Sequence, residues 1–560
     1  MKYFTKRLRS LTFNQYFFLL IILGYVPIFF FGYFVQDDFS VVFLSLQKPI
    51  DAFNYICSVN NNRPLSCVYH VLLSRIPSIF QFYFLFTLSL YIFFIFNVIK
   101  IFDFIIDDIF LKKLFITFLI FPFFSYTVLY SPAMQSIGVV ALVFWSISLL
   151  FLKQFITSNS KAYLFYSYFF ILLMFLVYES PTPLLGLSIF FPLFFKKKEK
   201  LFYSNLVIII SLCILIIIVQ KIFIPKIFNV DLSRLRVELY DYKKIAYLTF
   251  INLVLTINII FFSIELAIQV LFNLFKNLSY LTLLQIFSVI YIFNKNFYHR
   301  DFYKKNENNK HFLLIITLSF FSVISLNALM HAVANTGLEF TKYNNRALVS
   351  LSFIFSLTIV LVYKVVNFKN KKLLSLLLIS LFSVPIINFI YFQNNLVKER
   401  FEAKYIYEKY LNSYKTEFKS NKINFILSSG AANIDNILSY NSFDYFKDLN
   451  KDLVVILLDE QKFCNTDYYD LYISPYFNNA INNIDIYYFK NFFSNLSHLI
   501  QLPNIDSKRF REEMAYWIKC DYKKISNNAS DEDKKKLHLV NKTDGYFLRF
   551  VKNFYIKLRS

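Results

Sequence analysis

Two adjacent carboxylates, Asp37 and Asp38, follow directly after the first long apolar run of the chain. A carboxylate within hydrogen-bond reach of a hydroxyl group can act as a general base and make that hydroxyl more nucleophilic. The alternative is an ordinary loop marker at the end of a membrane span, and the pair Asp107–Asp108 is an example of that kind. The first pair therefore predicts either a catalytic carboxylate at a membrane surface or a solvated turn.

Two arginines lie in segments that we expect on the same side as this pair. Arg63 lies in the stretch NNNRPLS and Arg346 in the stretch KYNNRAL. A guanidinium group can bind two oxygens of one phosphate group, so both residues are candidate ligands for the phosphate of a donor. The alternatives are an interfacial arginine that extends its head group to water for Arg63, and capping or anchoring of a helix for Arg346.

Glu179 lies between two apolar runs, in the stretch YESPTP. Acidic residues at membrane depth are costly and usually functional, so Glu179 is a candidate functional residue. The prolines around it are typical of a loop, which leaves its exposure open. His70 and His331 lie in helical patterns, and we interpret both as satisfied helix histidines rather than as catalysts.

The composition indicates a chain that crosses a membrane many times. Of its 560 residues, 57% are hydrophobic, and its mean hydropathy is +0.48, whereas soluble domains are nearer 45–50% apolar. The net charge of +23 does not indicate a nucleic-acid partner, because lysine and arginine lie largely in short clusters between apolar runs and in the polar C-terminal part. Such clusters mark cytoplasmic loops. The basic start, MKYFTKRLRS, predicts an uncleaved first span with a cytoplasmic N-terminus.

Apolar runs of near-spanning length predict about eleven transmembrane helices. Their approximate limits are 16–35, 79–102, 114–130, 135–152, 162–177, 183–195, 201–224, 272–293, 312–330, 347–366 and 373–392. The hard part is 201–294, because both flanks are basic and require an even number of crossings. We favour a single crossing at 272–293 after 201–224, with 231–271 lying at the outer interface. The alternative is three crossings, with 245–271 split into short helices.

This threading places the segment 36–78, the turns 131–134 and 178–182, the loop 332–346 and the C-terminal part on the outer side. Segment 36–78 has two helical pieces, at about 40–57 and 64–76, that suit interfacial helices. Short apolar runs at 423–427, 453–458 and 484–489 predict a small soluble α/β domain. The predicted fold is mainly α: a polytopic membrane helical bundle over 1–392, and a small extracytoplasmic α/β domain over 393–560.

Four cysteines lie in these outer parts, where disulfides can form. Cys57 and Cys67 share the first outer segment, and Cys464 and Cys520 share the C-terminal domain. Each pair could close one bridge, but the distance between the Cα atoms decides this and the sequence does not show it.

An acidic pair just after the first span, followed by a loop with interfacial helices, resembles the pattern of type C glycosyltransferases. These polytopic enzymes take a sugar from a polyprenyl phosphate at the outer side of the membrane. The residues RPLS in NNNRPLS look like the Gly-Arg-Pro-Leu signature of bacterial O-antigen glucosyltransferases, and Tyr178-Glu179-Ser180 is similar to a turn of that family. The resemblance covers roughly 1–392. Asn62 stands where the family usually has glycine, and the C-terminal domain is larger.

The resemblance implies a glycosyltransferase of the bacterial cytoplasmic membrane that moves a hexose, with glucose expected, from a polyprenyl-phosphate sugar to a glycan acceptor such as the O-antigen of lipopolysaccharide. It favours Asp37 as the base, with Asp38 orienting it or binding the sugar. Arg63 and Arg346 would bind the phosphate and Glu179 the sugar. Inversion would follow from one base opposite the leaving phosphate. Acidic pairs can hold Mg²⁺ or Mn²⁺, but a monophosphate donor makes a metal less necessary, so no cofactor is expected.

Three other classes stay open on the sequence. A transporter or flippase of lipid-linked sugars would place its charges inside the spans, often in repeated halves, and the spans here are nearly free of charge. An O-antigen polymerase or ligase would be expected to use a large outer loop late in the membrane part. A structural membrane protein is the third alternative.

Overall fold

The computed structural model describes the helical part of the chain and four strands of its C-terminal part. The described ranges are 11–32, 48–59, 63–77, 79–124, 136–195, 199–219, 242–276, 280–297, 308–333, 348–365, 383–394, 423–428, 454–459, 484–489 and 499–502, with a few single residues between them. The chain divides into two compact units. The first comprises Met1–Phe30, Pro49–Asn395 and Thr543–Ser560, and the second comprises Phe31–Lys48 and Leu396–Lys542.

The described residues of the first unit are helical, with short turns between the helices. Long apolar runs favour helices because a membrane offers no hydrogen-bond partners, so every backbone amide must be satisfied within its own segment. In chain order the helices are α1 Phe13–Phe31, α2 Pro49–Val59, α3 Pro64–Leu73, α4 Phe80–Ile101, α5 Ile109–Ile120, α6 Ser136–Ser158, α7 Lys161–Val177, α8 Leu185–Phe190, α9 Glu199–Ile218, α10 Tyr242–Lys276, α11 Tyr280–Phe297, α12 Asn308–Val333 and α13 Val349–Val365. Residues 383–394 are also helical, and two short 3₁₀ helices, Thr182–Leu184 and Phe191–Phe194, flank α8.

Six helices in the described part of the chain are long and apolar enough to cross a membrane, which indicates a membrane protein. They are Phe13–Phe31, Phe80–Ile101, Ser136–Ser158, Glu199–Ile216, Ile245–Lys276 and His311–Ala332. Four shorter apolar segments accompany them: Lys161–Val177, Thr182–Phe194, Tyr280–Asn294 and Val349–Lys364. The predicted count of about eleven spans, the orientation in the membrane and the domain boundary at 392/393 stay predictions.

The described part of the segment 231–294 contradicts one of the two sequence-based alternatives. α10 is one continuous helix of 35 residues, so 245–271 is not split into short helices. The expected single crossing at 272–293 falls on the end of α10, at Lys276, and on α11, which begins at Tyr280, and it stays a prediction. The charges that suggested an interfacial helix lie mostly at 231–244. From Ile245 to Phe275, Glu265 is the only charged residue, and that apolar length favours a single long helix.

α6 and α13 are helices whose packing positions the turn that contains Glu179. α6 packs against α4 and α7, and α13 packs against α5 and α12. Trp145, in the middle of α6, is fully buried and donates a hydrogen bond of 3.0 Å to Ser188 Oγ of α8. α8 in turn lies close to α12 at Gly186, where an added Cβ would lie 2.6 Å from Ser322 Oγ. This packing holds the turn before α8 against the helix bundle.

One end of α6 and of α13 lies at the turn that contains Glu179. Gly138 of α6 faces the ring of Tyr178, where an added Cβ would lie 3.7 Å from the nearest ring carbons, and Ser350 of α13 donates a hydrogen bond of 3.2 Å to Ser180 O. The other ends lie at the turn 102–108. Gly138 lies against Tyr178 at one end of α6, and Lys153 contacts Asp103 at the other. These two residues are separated by roughly 22 Å along the helix axis, at about 1.5 Å per residue.

The described residues of the C-terminal part form a four-stranded sheet. Its strands are β1 Ile423–Ser428, β2 Val454–Asp459, β3 Ile484–Phe489 and β4 Leu499–Leu502, in the spatial order β2-β1-β3-β4. β1 pairs in parallel with β2 and β3, and β4 pairs antiparallel with β3. Parallel neighbours need crossover connections, which in α/β domains are usually helices. Those connections lie outside the described residues, so the α/β assignment stays a prediction.

Candidate functional site

Arg63 is the N-cap residue of α3. Its backbone carbonyl accepts the amide of Ser66 at 2.9 Å, and Pro64 stands at the first helical position, where its fixed φ favours the start of a helix. In the stretch NNNRPLS, the helix thus begins at Pro64, directly after Arg63. Of the two helices predicted in the segment 36–78, the one at 64–76 is present as α3, and the one at 40–57 overlaps α2, which spans Pro49–Val59. Their position at a membrane interface stays a prediction.

A disulfide between Cys57 of α2 and Cys67 of α3 closes the loop that contains Arg63. The two Cα atoms are 5.3 Å apart, within the range that disulfides require. The sequence separation is 10, so the backbone of Arg63 is held between two covalently linked helices. The disulfide between Cys57 and Cys67, which the sequence left undecided, is therefore formed. Cys464 and Cys520 lie outside the described residues.

Glu179 lies in the turn between α7 and the short helix Thr182–Leu184. α7 ends at Val177, and Tyr178 follows in an extended conformation that directs the chain away from the helix axis. The amide of Thr182 donates to the carbonyl of Glu179 at 2.8 Å, which closes the turn. The prolines of YESPTP favour this turn over a continued helix, because proline lacks the amide that a helix interior needs.

The guanidinium of Arg63 and the carboxylate of Glu179 form a two-point ion pair. Arg63 Nε donates to Glu179 Oε2 at 2.6 Å, and Nη2 donates to Oε1. The residues are 116 positions apart in the chain. The guanidinium also lies over the ring of Tyr178, with 4.5 Å from its central carbon to the ring centroid. The side chains of Arg63 and Glu179 are 28% and 41% exposed, so solvent and solutes reach the pair.

This arrangement keeps Arg63 charged. Burial works against the cation, but the carboxylate of Glu179 outweighs burial and raises the pKa of Arg63 above its usual range. The same guanidinium contributes to the neutrality of His70, two turns further along α3. Burial, followed by the charge of Arg63, lowers the pKa of His70 to about 3.

His70 is fully buried, and neither ring nitrogen has a hydrogen-bond partner among the residues that the structure describes. We expected the ring nitrogens of His70 to have hydrogen-bond partners, and no described residue provides one. Its ring contacts that of Tyr69, with 5.6 Å between centroids. His70 is thus a neutral, buried group beside the charged pair.

Three of the predicted site residues, Asp37, Asp38 and Arg346, lie outside the described residues. Their roles stay predictions. Arg63 and Glu179 are the two that the structure describes, and it brings them into direct contact. Within the described ranges, no group of three or more histidine, cysteine, aspartate or glutamate side chains is arranged to hold a metal ion.

The sequence predicted that Arg63 and Glu179 belong to one site, but it did not predict their direct ion pair, and no role was expected for Tyr178. The signal was present in part, because both charged residues fall on the same predicted side and carry opposite charges. Nothing in the local sequence shows which of several outer charges will pair. An aromatic residue directly before the acid was the available sign that a cation could stack there.

Comparisons of this chain with protein-family models, with curated proteins and with solved structures found no match. The resemblance to type C glycosyltransferases therefore depends on the short motifs around Asp37, Arg63 and Glu179.

Proposed function

We propose that this protein is a membrane glycosyltransferase that moves a hexose from a polyprenyl-phosphate donor to a cell-surface glycan such as O-antigen. The observation that carries the proposal is the contact between Arg63 and Glu179. From the sequence, we expect Arg63 to bind the phosphate and Glu179 the sugar of one donor molecule. Two groups with those roles must lie within one sugar phosphate of each other, and these two residues, 116 positions apart, do so.

The proposed reaction needs a base, a cation and a site for the sugar. Asp37, oriented by Asp38, takes the proton from the acceptor hydroxyl, whose oxygen attacks the anomeric carbon. The bond from that carbon to the phosphate oxygen breaks, and the polyprenyl phosphate leaves as an anion. Arg63 and Arg346 stabilise the negative charge that develops on the phosphate. One displacement opposite the leaving group inverts the anomeric configuration.

The disulfide and the two ends of α6 support placement of this chemistry at the outer side. Disulfides persist in oxidising compartments and are rare in the cytosol, and Cys57–Cys67 flanks Arg63. Lys153, which belongs to a predicted cytoplasmic cluster, lies on the same helix as Gly138 but near its other end. The turn that contains Glu179 is predicted on the outer side and Lys153 on the cytoplasmic side. The separation of roughly 22 Å between residues 138 and 153 of α6 agrees with these predictions.

Transfer from a labelled donor tests the proposal. Membranes that contain the full chain receive polyprenyl-phosphate glucose with a radiolabelled sugar, and label in the glycan is measured. Asp37→Asn should lower the rate by about 10²–10⁴-fold, the usual contribution of a general base, and Asp38→Asn should also lose transfer. Asp103→Asn, at the other end of α6, is the matched control and should retain the wild-type rate.

Wild-type transfer by both the Asp37→Asn and the Asp38→Asn variants would contradict the proposal, provided that they insert as the wild type does. A product that keeps the anomeric configuration of the donor would contradict the single-displacement mechanism. Movement of label across the membrane without transfer to glycan would instead favour a flippase.

A further inference from the structure

The contact between Arg63 and Glu179 has the form of a bound anion. A carboxylate presents two oxygens to the guanidinium edge in the same way that a phosphate group does. The contact uses two of the five N–H groups of Arg63, Nε–H and one on Nη2. Glu179 therefore occupies one edge of Arg63 that a phosphate could use for two-point binding.

Neither partner of this pair gains from the dipole of its own helix. Arg63 caps the N-terminus of α3, which carries partial positive charge, and Glu179 follows the C-terminus of α7, which carries partial negative charge. Each charge thus depends on another charge for compensation. If the carboxylate leaves, the cation at the positive end of α3 attracts any anion within reach.

Arg63 has further supports that do not involve Glu179. The ring of Tyr178 lies against the guanidinium face, which leaves the guanidinium edge accessible to a different ligand. The disulfide between Cys57 and Cys67 holds the backbone on both sides of Arg63. Because the side chains of Arg63 and Glu179 are 28% and 41% exposed, water and dissolved ions compete with the pair.

We propose that the Arg63–Glu179 pair is a displaceable latch, in which the phosphate of an incoming phosphate ester replaces the Glu179 carboxylate on the guanidinium of Arg63. No covalent bond changes in this exchange. The displaced carboxylate lies next to the bound phosphate and is then available to accept hydrogen bonds from the sugar hydroxyl groups. The inference rests on the proposed function for the identity of the ester, a polyprenyl phosphate. In the absence of the ester, Arg63 and Glu179 bind each other; in its presence, Arg63 binds the phosphate and Glu179 the sugar.

Glu179 could instead be a fixed support for Arg63, and the two roles predict opposite changes in phosphate affinity when its charge is removed. If Glu179 only orients Arg63, removal of its charge weakens phosphate binding. If Glu179 competes with the ligand, removal of its charge strengthens phosphate binding. The sign of the change in affinity therefore decides between them.

The experiment measures binding of radiolabelled polyprenyl monophosphate, without sugar, to the full chain in phosphatidylcholine vesicles. We expect Glu179→Gln to bind about fivefold more tightly than the wild type, the amount lost with a competitor of surface-pair strength. Glu179→Asp, one methylene shorter, should also bind more tightly, and it serves if the glutamine variant does not fold. Arg63→Ala should bind at least tenfold more weakly. Asp103→Asn, which removes a different exposed ion pair, should bind as the wild type does.

Unchanged or weaker binding by both Glu179 variants would overturn the latch, and so would unchanged binding by Arg63→Ala. A second arm uses inorganic phosphate in place of the lipid. If only inorganic phosphate shows the tighter binding, the assignment to a lipid phosphate is wrong. The transfer assay with Asp37→Asn is separate from these measurements, so failure of the latch and failure of the glycosyltransferase proposal give different results.

Discussion

Ion pairs lie at both ends of α6 and α13, but the two ends differ in how the charges relate to the dipoles of the neighbouring helices. At the turn 102–108, Lys153 pairs with Asp103 at 2.5 Å and Lys364 pairs with Asp107 at 3.0 Å. Lys364 lies in the last turn of α13, where a cation is favourable, whereas Lys153 lies before the last turn of α6. Asp108 caps the N-terminus of α5 and accepts the amide of Phe110 at 3.0 Å.

At the end with Glu179 the charges sit at the less favourable helix termini, Arg63 at an N-terminus and Glu179 after a C-terminus. The acids of the turn 102–108 would therefore stabilise the fold without any ligand, since each complements a helix end or a lysine. The Arg63–Glu179 pair instead compensates charges that the helices disfavour. The difference shows that an acidic pair such as Asp107–Asp108 can be fully explained by structure, while a pair at mismatched helix termini is a candidate for function.

The largest effect that separates the two ends is expected on transfer. Arg63→Ala should lower the rate of sugar transfer by about 10²–10³-fold, because a charged donor to the leaving phosphate is lost. Lys153→Ala, the matched variant at the other end, should change the rate by less than about twofold. The measurement is label transferred to glycan by equal amounts of inserted protein. Similar losses in both variants would contradict the functional distinction between the ends.

Next in size is the effect of the disulfide. Cys57→Ser with Cys67→Ser should lower the free energy of unfolding by about 2–4 kcal/mol, since the unfolded chain regains the freedom of the closed loop. Transfer should fall as well, because the backbone of Arg63 loses its constraint. Thermal unfolding in detergent, with and without reducing agent, measures this. The reducing agent should destabilise the wild type more than the double variant.

A smaller, pH-dependent effect is expected from His70. Its pKa of about 3 lies below the ordinary value of 6.5, so the unfolded chain binds a proton that the folded chain rejects. Stability is therefore lost as the pH falls below about 6.5, with a slope of up to about 1.4 kcal/mol per pH unit. His70→Leu should show a shallower decline between pH 6 and pH 4. Parallel unfolding curves for the two proteins would contradict the burial of a neutral imidazole.

The smallest effect is expected at the turn 102–108. Asp103→Asn and Asp107→Asn each remove one ion pair whose aspartate is 53% exposed. Exposed pairs contribute about 0.2–1 kcal/mol and are screened by salt. In Asp103→Asn the free energy of unfolding should fall by that amount at low salt and by less at high salt. In Asp107→Asn it should fall by more, because Lys364 is only 6% exposed and loses its carboxylate partner. Transfer should be unchanged in both variants. A loss of transfer in either variant would place function at this end also.

Several features of the helical part could be predicted from residue patterns. Apolar runs at 79–102, 135–152 and 312–330 correspond closely to α4, α6 and α12, because a long apolar segment in a membrane has few alternatives to a helix. The division between α10 and α11 could not be predicted. Basic flanking clusters constrain only the parity of crossings, and they carry no information about where one apolar stretch of this length is interrupted.

The sequence by itself determined that this protein has long apolar helices, that its charges lie mainly outside them, and that Arg63 and Glu179 are chemically suited to one ligand. These follow from residue type and from hydropathy along the chain, which are local properties. Only the tertiary structure decided that Arg63 meets Glu179 over the ring of Tyr178, that Cys57 bonds to Cys67, and that His70 is buried without a described partner. Those contacts depend on how α3 packs against α7, and the packing of two distant segments is set by the whole bundle rather than by either segment.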